Sequence, residues 1–382
     1  MKPTFYEFFA GGGMTRAGLG DDWRCLFAND IDSKKGASYR ANWGDSEFRL
    51  DDIHNLKPAD LSFEADLAWA SFPCQDLSLA GNGVGLDGEH SGAFWGFYDL
   101  IHSLKLRQRA PKILVLENVG GAVTSKDGQD FADLCRALKT LGYIYGAMML
   151  DAVHFVPQSR PRLFVVALRA DLAGCAKGFI EGQPSEWTTK ALLTSHAELR
   201  PDLRKSWRWW RLPPPPQLKH RLADLILENP IDVTWHSAAE TARIMSMMSQ
   251  VNLLKVKAAK ASGQKTVGTI YKRTRRSADG KKIQRAEVRF DGISGCLRTP
   301  RGGSSRQTVI VIDGQKVRTR LMSTREAARL MGLSDSYVLP ARYNDAYHLA
   351  GDGLVVPVVT FLETNLLRPL LATQAEFLVA AE

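Results

Sequence analysis

The stretch Thr4-Phe5-Tyr6-Glu7-Phe8-Phe9-Ala10-Gly11-Gly12-Gly13 is an apolar run that ends in three consecutive glycines. The run predicts a buried strand, and the residues that follow it predict a helix. Glycines at such a turn let the backbone pass close to a ligand at the helix N-terminus. Because glycine-rich turns of this kind bind many different nucleotides, the stretch favours an α/β fold without identifying its ligand.

The first 170 residues continue this alternation of apolar strands and amphipathic helices. Such alternation is typical of a doubly wound, mainly parallel sheet. The last two strands are joined by a loop too short for a helical crossover, which predicts an antiparallel hairpin. The predicted strands are Thr4–Ala10, Arg24–Asn29, Leu67–Phe72, Ile113–Glu117, Tyr143–Leu150 and Leu163–Leu168, with helices near Ser33–Asn42, Gly92–Arg107 and Gln129–Leu141.

The alternation then breaks, and a polyproline segment, Leu212–Pro216, precedes a basic region with only short β-like runs. Helical patterns resume at Thr324–Met331, after the capping signal at Ser323, and at Val355–Leu371. We therefore predict the α/β fold class with two domains. The doubly wound sheet takes residues 1–185 and 340–382, and a smaller loop- and β-rich domain takes residues 186–339.

Composition narrows the class of protein. The chain has 382 residues, 45% of them hydrophobic, which is ordinary for a soluble globular protein. No apolar run approaches the roughly 18 residues of a membrane span, and Met1-Lys2-Pro3 leads directly into a strand pattern rather than a signal peptide. Five scattered cysteines without CxxC spacing favour a reducing compartment, with neither a disulfide framework nor a zinc site.

Positive charge is concentrated in the second half of the chain. Residues 255–289 contain twelve Lys or Arg and two acids, a net +10 compared with +9 for the whole protein. A second basic stretch, Arg200–Arg221, interleaves cations with Trp207, Trp209 and Trp210. One such run is commonly a solvated face. Two in the same half favour a surface that follows a nucleic-acid backbone.

The segment Ser71-Phe72-Pro73-Cys74-Gln75 closes a predicted strand with a thiol. Ligands of open α/β sheets bind at the carboxyl ends of the strands, and Pro73 forces the chain to turn there. A cysteine is often simply buried. Three other segments favour a chemical role instead: the glycine turn, Glu117-Asn118-Val119, and Gln158-Ser159-Arg160-Pro161-Arg162.

Acids and arginines follow the predicted strands in the same way. Asp30, seventeen residues after Gly13, is placed to accept hydrogen bonds from ribose hydroxyls, and Asp51-Asp52-Ile53 to hold an adenine ring. Glu117 ends an apolar strand, while Arg160 and Arg162 alternate at a strand entrance and should share one face. Loop carboxylates and a plain ion pair between Glu117 and one arginine are the structural alternatives.

In order, these segments resemble the C5-cytosine DNA methyltransferase family, in its prokaryotic or phage form. The resemblance resumes at Arg320–Gly332 and at Gly351–Pro357 and skips only residues 190–290, where that family varies because it reads DNA. It implies a Rossmann-like methyltransferase fold with a target-recognition domain. It also implies S-adenosyl-L-methionine as cofactor, with S-adenosyl-L-homocysteine as product.

The resemblance also implies a mechanism. The target cytosine leaves the DNA stack, Cys74 attacks its C6, Glu117 engages N3 and the amine, and Arg162 with Arg160 holds the O2 side. Methyl transfer to C5 and loss of the C5 proton then release Cys74. No metal is needed.

Further site residues are predicted by position. Those expected at the cofactor are Phe9, Ala10, Gly11, Gly13, Asp30, Asp52, Ile53, Pro73 and Asp352. Those expected at DNA are Gln75, Ser78, Gln158, Lys272, Arg273, Arg275, Arg276, Arg306 and Gln307, the last two suited to bidentate contacts with guanine and adenine. A loop that binds only phosphates is the alternative for Arg306 and Gln307.

The expected partner is double-stranded DNA, with no membrane and with the protein acting as a cytoplasmic monomer. Two settings stay open: a restriction–modification pair with a cognate restriction endonuclease, or a solitary modification enzyme. Two positions depart from the family pattern: Asp352 replaces the usual Asn, and Leu77 replaces a common aromatic. Three other functions compete. Methylation of a tRNA cytosine fits a smaller recognition region, an inactive DNA-binding relative would lack the thiol or the acid, and a nicotinamide oxidoreductase has no use for Pro73-Cys74-Gln75.

Overall fold

The computed structural model describes residues 2–61, 63–73, 92–181, 183–276, 280–298 and 306–379, and only the backbone at 175, 275 and 374–379. The chain divides into two units. The first comprises Met1–Leu150, Pro161–Pro215 and Val358–Glu382, and the second comprises Asp151–Arg160 and Pro216–Pro357.

A seven-stranded sheet forms the centre of the first unit. Its strands are β1 (Thr4–Phe8), β2 (Arg24–Asp30), β3 (Phe48–Leu50), β4 (Leu67–Ala70), β5 (Ile113–Val119), β6 (Tyr143–Asp151) and β7 (Pro161–Arg169). Their order is β3-β2-β1-β4-β5-β7-β6. Strands β1 to β5 pair in parallel, and β7 runs antiparallel to β5. The predicted doubly wound, mainly parallel sheet is confirmed.

Helices of the first unit cover this sheet. They are α1 (Met14–Leu19), α2 (Ser33–Trp43), α3 (Ala93–Leu106), α4 (Gln129–Leu141), α5 (Lys190–Glu198) and α6 (Pro201–Arg204), with a small β-ribbon of β8 (Ile180–Glu181) and β9 (Trp209–Trp210). Helix α4 shows why such helices pack on the sheet. Its apolar residues Phe131, Leu134 and Leu138 are spaced three or four apart, so they lie on one face and are buried in the core. It ends at Gly142, whose φ of 90° suits a left-handed cap.

The tryptophans of the basic stretch Arg200–Arg221 lie in the core of the first unit, which corrects their sequence-based assignment to a nucleic-acid surface. Trp207 and Trp210 are buried, and Trp207 packs edge-on against Phe131 and Tyr145. An indole buried in this way cannot stack on a base. Charge patterning suggested a nucleic-acid surface here, but large aromatic rings gain more by leaving water.

The second unit contains an antiparallel sheet, in which the strands lie in the order β11 (Lys282–Arg289), β10 (Thr266–Arg276), β12 (Thr308–Asp313) and β13 (Lys316–Leu321). Helices α8 (Ala238–Ser246) and α9 (Gln250–Ala261) pack on it. Ile244 of α8, Met248 between the two helices and Val256 of α9 join Ile270, Ile310 and other strand residues in one cluster. The elements are α7 (Leu222–Leu225), α8 (Ala238–Ser246), α9 (Gln250–Ala261), β10 (Thr266–Arg276), β11 (Lys282–Arg289), β12 (Thr308–Asp313), β13 (Lys316–Leu321), α10 (Thr324–Leu330) and α11 (Tyr343–Asp352).

A fully buried ion pair stabilises the second unit. Arg320 on β13 donates to both carboxylate oxygens of Glu326 on α10, at 2.6 and 2.8 Å. Glu326 also accepts the backbone N–H groups of Leu227 and Ser323, and Arg320 donates to the Leu227 carbonyl. Removing one partner of such a pair typically costs about 3–5 kcal/mol, because the other charge stays buried.

The chain ends in α12 (Val356–Leu362), a π-helical turn (Glu363–Leu367) and α13 (Arg368–Val379). Among the described residues, the helical stretch Tyr343–Thr373 has the length and mean hydropathy, 1.5, of a membrane span. Half of its apolar window is buried, and α11 and α12 are separated by Gly353–Val355. Core helices of globular proteins show the same pattern, so this is weak evidence for a membrane span.

The observed division differs from the boundaries predicted at 185/186 and 339/340. Residues 190–210 belong to the first unit, since Leu192, Leu203 and Trp207 share its core cluster. Helix α11 belongs to the second unit, where the Tyr347 hydroxyl accepts the Gln307 N–H at 2.9 Å. The predicted boundaries followed changes in charge and proline content along the chain, and these changes do not coincide with the edges of the hydrophobic cores.

Candidate active site

The glycine turn after β1 is held open by its neighbours. Gly11, at φ 57°, donates its N–H to Asp30 Oδ2 at 2.8 Å, and no atom lies within 4 Å of the position of a Cβ there. At Gly13, φ 77°, a Cβ would lie 2.3 Å from the Trp43 indole, which donates to the Gly12 carbonyl at 3.0 Å. Only glycine fits at residue 13, and residue 11 faces free space.

Asp30 closes β2 and is nearly buried, with 7% of its surface exposed. Oδ2 accepts the Gly11 N–H and Oδ1 accepts the Asp32 N–H, both at 2.8 Å. Burial raises the pKa of this carboxyl, and these hydrogen bonds oppose the rise. Each oxygen keeps a second lone pair. Asp30 therefore shapes the turn and can still accept a hydrogen bond from a ligand.

The remaining candidates of the first unit also follow strands. Asp52 caps a short 3₁₀ turn by accepting the His54 N–H at 3.0 Å, and Ile53 is buried behind it. Pro73 is exposed, and the Phe72 carbonyl accepts Asn118 Nδ2 at 3.2 Å. This bond ties the end of the β4 segment to the end of β5. Cys74, Gln75 and Ser78 lie outside the described residues.

Glu117 and Arg162 form an ion pair across β5 and β7. Arg162 Nε lies 3.2 Å from Glu117 Oε1, and both side chains are largely buried. Val119 is the register partner of Arg162, so Glu117 and Arg162 are diagonal neighbours on one face of the sheet. The pair lies at the carboxyl end of β5 with Asn118. It is the ion pair that the sequence left open as the structural alternative, and the catalytic roles of both residues stay predictions.

Arg160 does not share the surroundings of Arg162, contrary to the prediction that both lie on one face. It belongs to the second unit, where its Nη atoms donate to the carbonyls of Leu297, Gly351 and Gly353 at 2.8 to 2.9 Å. Strand β7 begins at Pro161, so strand alternation does not extend back to Arg160. Its guanidinium is committed to backbone carbonyls, which indicates a positioning role.

Three residues predicted to contact DNA lie inside the second unit or against it. The fully buried Gln158 donates to the Leu330 carbonyl at 2.8 Å and accepts the Leu297 N–H at 2.9 Å. Gln307 is buried, and Arg306 donates to Asn344 and stacks over the Tyr343 ring. Polar residues in an irregular segment satisfy nearby backbone groups, and this can look like a ligand-binding pattern in sequence.

The cations of β10 have different surroundings. Arg273 and Arg276 are exposed, and Arg273 pairs with Glu287 on β11 at 3.3 Å. Lys272 is half-buried, and burial together with Arg243 and Arg306 lowers its pKa. For Arg275 only the backbone is described. Asp352 is exposed at the end of α11 in the second unit.

Glu7 was missed in the sequence, although an acid inside an apolar strand is a recognisable signal. It is 1% exposed, its Oε1 accepts the Thr15 N–H at 3.2 Å, and Oε2 has no hydrogen-bond partner. Burial raises its pKa from 4.5 to about 8. Burial therefore favours the neutral form of this carboxyl, which accepts a backbone N–H two residues after the glycine turn.

The chain matches the family model of the C-5 cytosine-specific DNA methylases over residues 3–368. This match covers both units, so the chain belongs to that family.

Named relatives agree with this assignment. Type II methyltransferase M.HpaII of Haemophilus parainfluenzae is 24% identical over 388 residues, covering 97% of this chain and 90% of that protein. Type II methyltransferase M.BsuFI of Bacillus subtilis is 33% identical over 186 residues, 48% of this chain and 44% of the relative, so that match spans less than half of its length. The crystal structure of S. pombe Dnmt2 methyltransferase has a TM-score of 0.58 at 19% identity and covers 96% of this chain and 99% of that one; it shows the fold alone.

We expect Glu7→Gln to flatten the dependence of stability on pH. Below about pH 4.5 the carboxyl is protonated in both the folded and unfolded states. As the pH rises toward 8, only the unfolded state ionises freely, so the wild type loses up to about 1.4 kcal/mol per pH unit relative to the variant. Urea unfolding at pH 5, 6.5 and 8 measures this loss. The exposed Glu64→Gln is the control, and parallel curves for wild type and Glu7→Gln would contradict it.

Proposed function

We propose that this protein is a DNA (cytosine-5-)-methyltransferase that flips its target cytosine out of duplex DNA. Family membership supports the reaction class. The observation that carries the proposal is the Glu117–Arg162 pair at the carboxyl end of β5. The pair brings an acid and a cation together at the end of β5, and Asn118 of the same strand donates to the carbonyl of Phe72, two residues before Cys74 in the sequence.

Cys74 is the proposed nucleophile, on the basis of its motif and its position after Pro73. An extrahelical base can meet a thiolate that a stacked base cannot reach. A bond forms between the Cys74 sulfur and C6, and the electron pair of the C5–C6 double bond makes C5 nucleophilic. After methylation, loss of the C5 proton restores that double bond and expels the thiolate.

Glu117 and Arg162 would stabilise the charge that this attack pushes into the ring. The carboxyl would engage N3 and the exocyclic amine, while the guanidinium holds O2. Their ion pair fixes both side chains before a base arrives, so less ordering remains to be done when it binds. Arg160 takes no part in base contact, because carbonyls occupy its Nη atoms.

The first unit fits S-adenosyl-L-methionine, which would supply an electrophilic methyl group and leave as S-adenosyl-L-homocysteine. The turn at Phe9, Ala10, Gly11 and Gly13 has open space on its Gly11 side. Asp30 can accept hydrogen bonds from a ribose. Asp52 and Ile53 follow β3 and Pro73 follows β4, two strands of the same parallel set that end at the same edge of the sheet. Asp352, an exposed residue of the second unit, stays a prediction as a cofactor contact.

The proposed partner is double-stranded DNA in a cytoplasmic type II restriction–modification setting, with the protein acting as a monomer. The exposed cations of β10 support DNA binding. Bisulfite sequencing of DNA from cells that express the protein would reveal the methylated sequence.

Cys74→Ser is expected to abolish methyl transfer and to leave DNA and cofactor binding largely intact. With S-adenosyl-L-methionine present, the wild type should form a stable covalent adduct on duplex DNA that contains 5-fluorocytosine in its target site. After methyl transfer C5 carries fluorine in place of a proton, and fluorine does not leave. Denaturing electrophoresis detects the adduct, and Cys175→Ser is the control thiol variant. An adduct that forms on RNA but not on DNA would overturn the choice of substrate.

Asp30→Ala should weaken S-adenosyl-L-methionine binding by about 1–3 kcal/mol, the scale of hydrogen bonds to a charged acceptor. Calorimetry with the cofactor alone measures this change. Asp32→Ala is the matched control, since it removes an exposed carboxylate that caps α2 two residues away. Equal dissociation constants for wild type and Asp30→Ala would place the ribose contact elsewhere.

Reversing the exposed cations Arg273 and Arg276 to Glu should weaken binding to every DNA sequence alike. The slope of log affinity against log salt should fall by about 1.8, at 0.9 for each phosphate no longer neutralised. Lys34→Glu with Lys57→Glu makes the same charge change on exposed residues of the first unit. If only the target sequence loses affinity, these arginines read bases instead.

A further inference from the structure

Residues 151–160, here called the connector, belong to a different unit from the strands on either side of them in the sequence. In the chain they join β6 to β7 of the first unit, but they pack as part of the second unit. The backbone shows this directly. Ser159 donates its N–H to the Ser294 carbonyl at 3.0 Å, and Ser294 donates to the Pro157 carbonyl at 2.7 Å.

Gln158 binds the connector to two further segments of the second unit. Its Oε1 accepts the Leu297 N–H at 2.9 Å, and its Nε2 donates to the Leu330 carbonyl at 2.8 Å. The side chain is fully buried. Moving this buried amide alone would leave several polar groups unsatisfied, so the connector should move together with the segments that Gln158 binds.

Arg160 completes this attachment with a buried charge. Nη1 donates to the Leu297 carbonyl at 2.8 Å, and Nη2 donates to Gly351 and Gly353 at 2.9 and 2.8 Å. Its backbone N–H donates to Asp151 Oδ1 at 2.7 Å, which ties the two ends of the connector together. The planar fork of arginine suits such convergent carbonyls, and lysine does not.

The connector binds the segment around Ser294 and Leu297, and the next residue of that segment, Arg298, contacts the cationic strand β10. Arg298 follows Leu297 directly, and its guanidinium lies 5.9 Å from the Tyr271 ring centroid. The same ring carries Arg273 at 5.2 Å. At the other end of the connector, Arg162 comes two residues after Arg160 and pairs with Glu117. Pro161 lies between Arg160 and Arg162. Its ring fixes φ, so one fewer backbone torsion angle between the two arginines can rotate.

We propose that the connector couples DNA engagement to the Glu117–Arg162 pair, with Gln158 and Arg160 as its positioning residues. DNA that contacts the paired side chains of Tyr271 and Arg298 would shift the position of the connector. The backbone would carry this shift from Arg160 to Arg162, two residues further along the chain. The coupling needs Tyr271 and Arg298 to interact differently with target and other DNA. It rests on the proposed function, because the pair must act on a cytosine.

Arg160→Met tests the coupling, with the full chain, S-adenosyl-L-methionine and an unmethylated plasmid as probe. We expect the single-turnover rate of methyl transfer to fall at least tenfold, with the dissociation constants of plasmid and cofactor changed less than twofold. Arg160→Lys should recover only part of the rate. If rate, binding and melting temperature fall together, Arg160 is merely structural and the proposal is wrong.

Arg298→Ala tests the same path without disturbing a buried site, because Arg298 is exposed. We expect at least a threefold lower rate at saturating plasmid. Arg318→Ala is the matched control, since it removes another ring-stacked arginine of the second unit, 4.3 Å from the centroid of Trp235. An unchanged rate for Arg298→Ala overturns the proposal. A wild type that methylates no plasmid overturns the proposed function itself, which separates the two failures.

Discussion

Strands buried on both faces are the constraint on which the first unit depends. All four residues of β4 and nearly all of β5 are buried, so a polar side chain within them would lose its water without gaining partners. Polar residues therefore collect where these strands end. Asp30, Asn118 and Glu117 all lie at that edge, each with a hydrogen bond or an ion pair. The position of the candidate site therefore follows from the burial of the strands that precede it.

Asp30 has two functions within this site. Its carboxylate holds the Gly11 N–H and so fixes a turn in which Gly13 must also leave room for Trp43. In the proposed function the same carboxylate also accepts hydrogen bonds from a ribose. Glu7 lies below the turn, and its burial favours the neutral form. Two acids, Asp30 and Glu7, therefore accept backbone N–H groups at or just after the glycine turn.

Some charged side chains of the second unit are fully buried with partners, and others are exposed to solvent. Arg320 and Glu326 are wholly buried, and the carbonyl and N–H of Leu227 help to satisfy them. Arg273 and Arg276 stay exposed on β10 and are free of that cost. Arg160 resembles the first group, because its charge is distributed over carbonyls from distant segments. Buried cations of this kind hold the unit together, and exposed ones remain available to a polyanion.

The sequence by itself determined the strand–helix alternation, helix Gln129–Leu141 at its observed bounds, and the motifs that predicted the family. These depend on local spacing, which the chain carries in short windows. Only the tertiary structure decided that Trp207 belongs to a core, that Gln158 is buried, and that Arg160 and Arg162 have separate partners. The Arg160 guanidinium binds carbonyls 137 and 191 residues further along the chain. No local pattern encodes such contacts, because they exist only once the backbone has brought those carbonyls together.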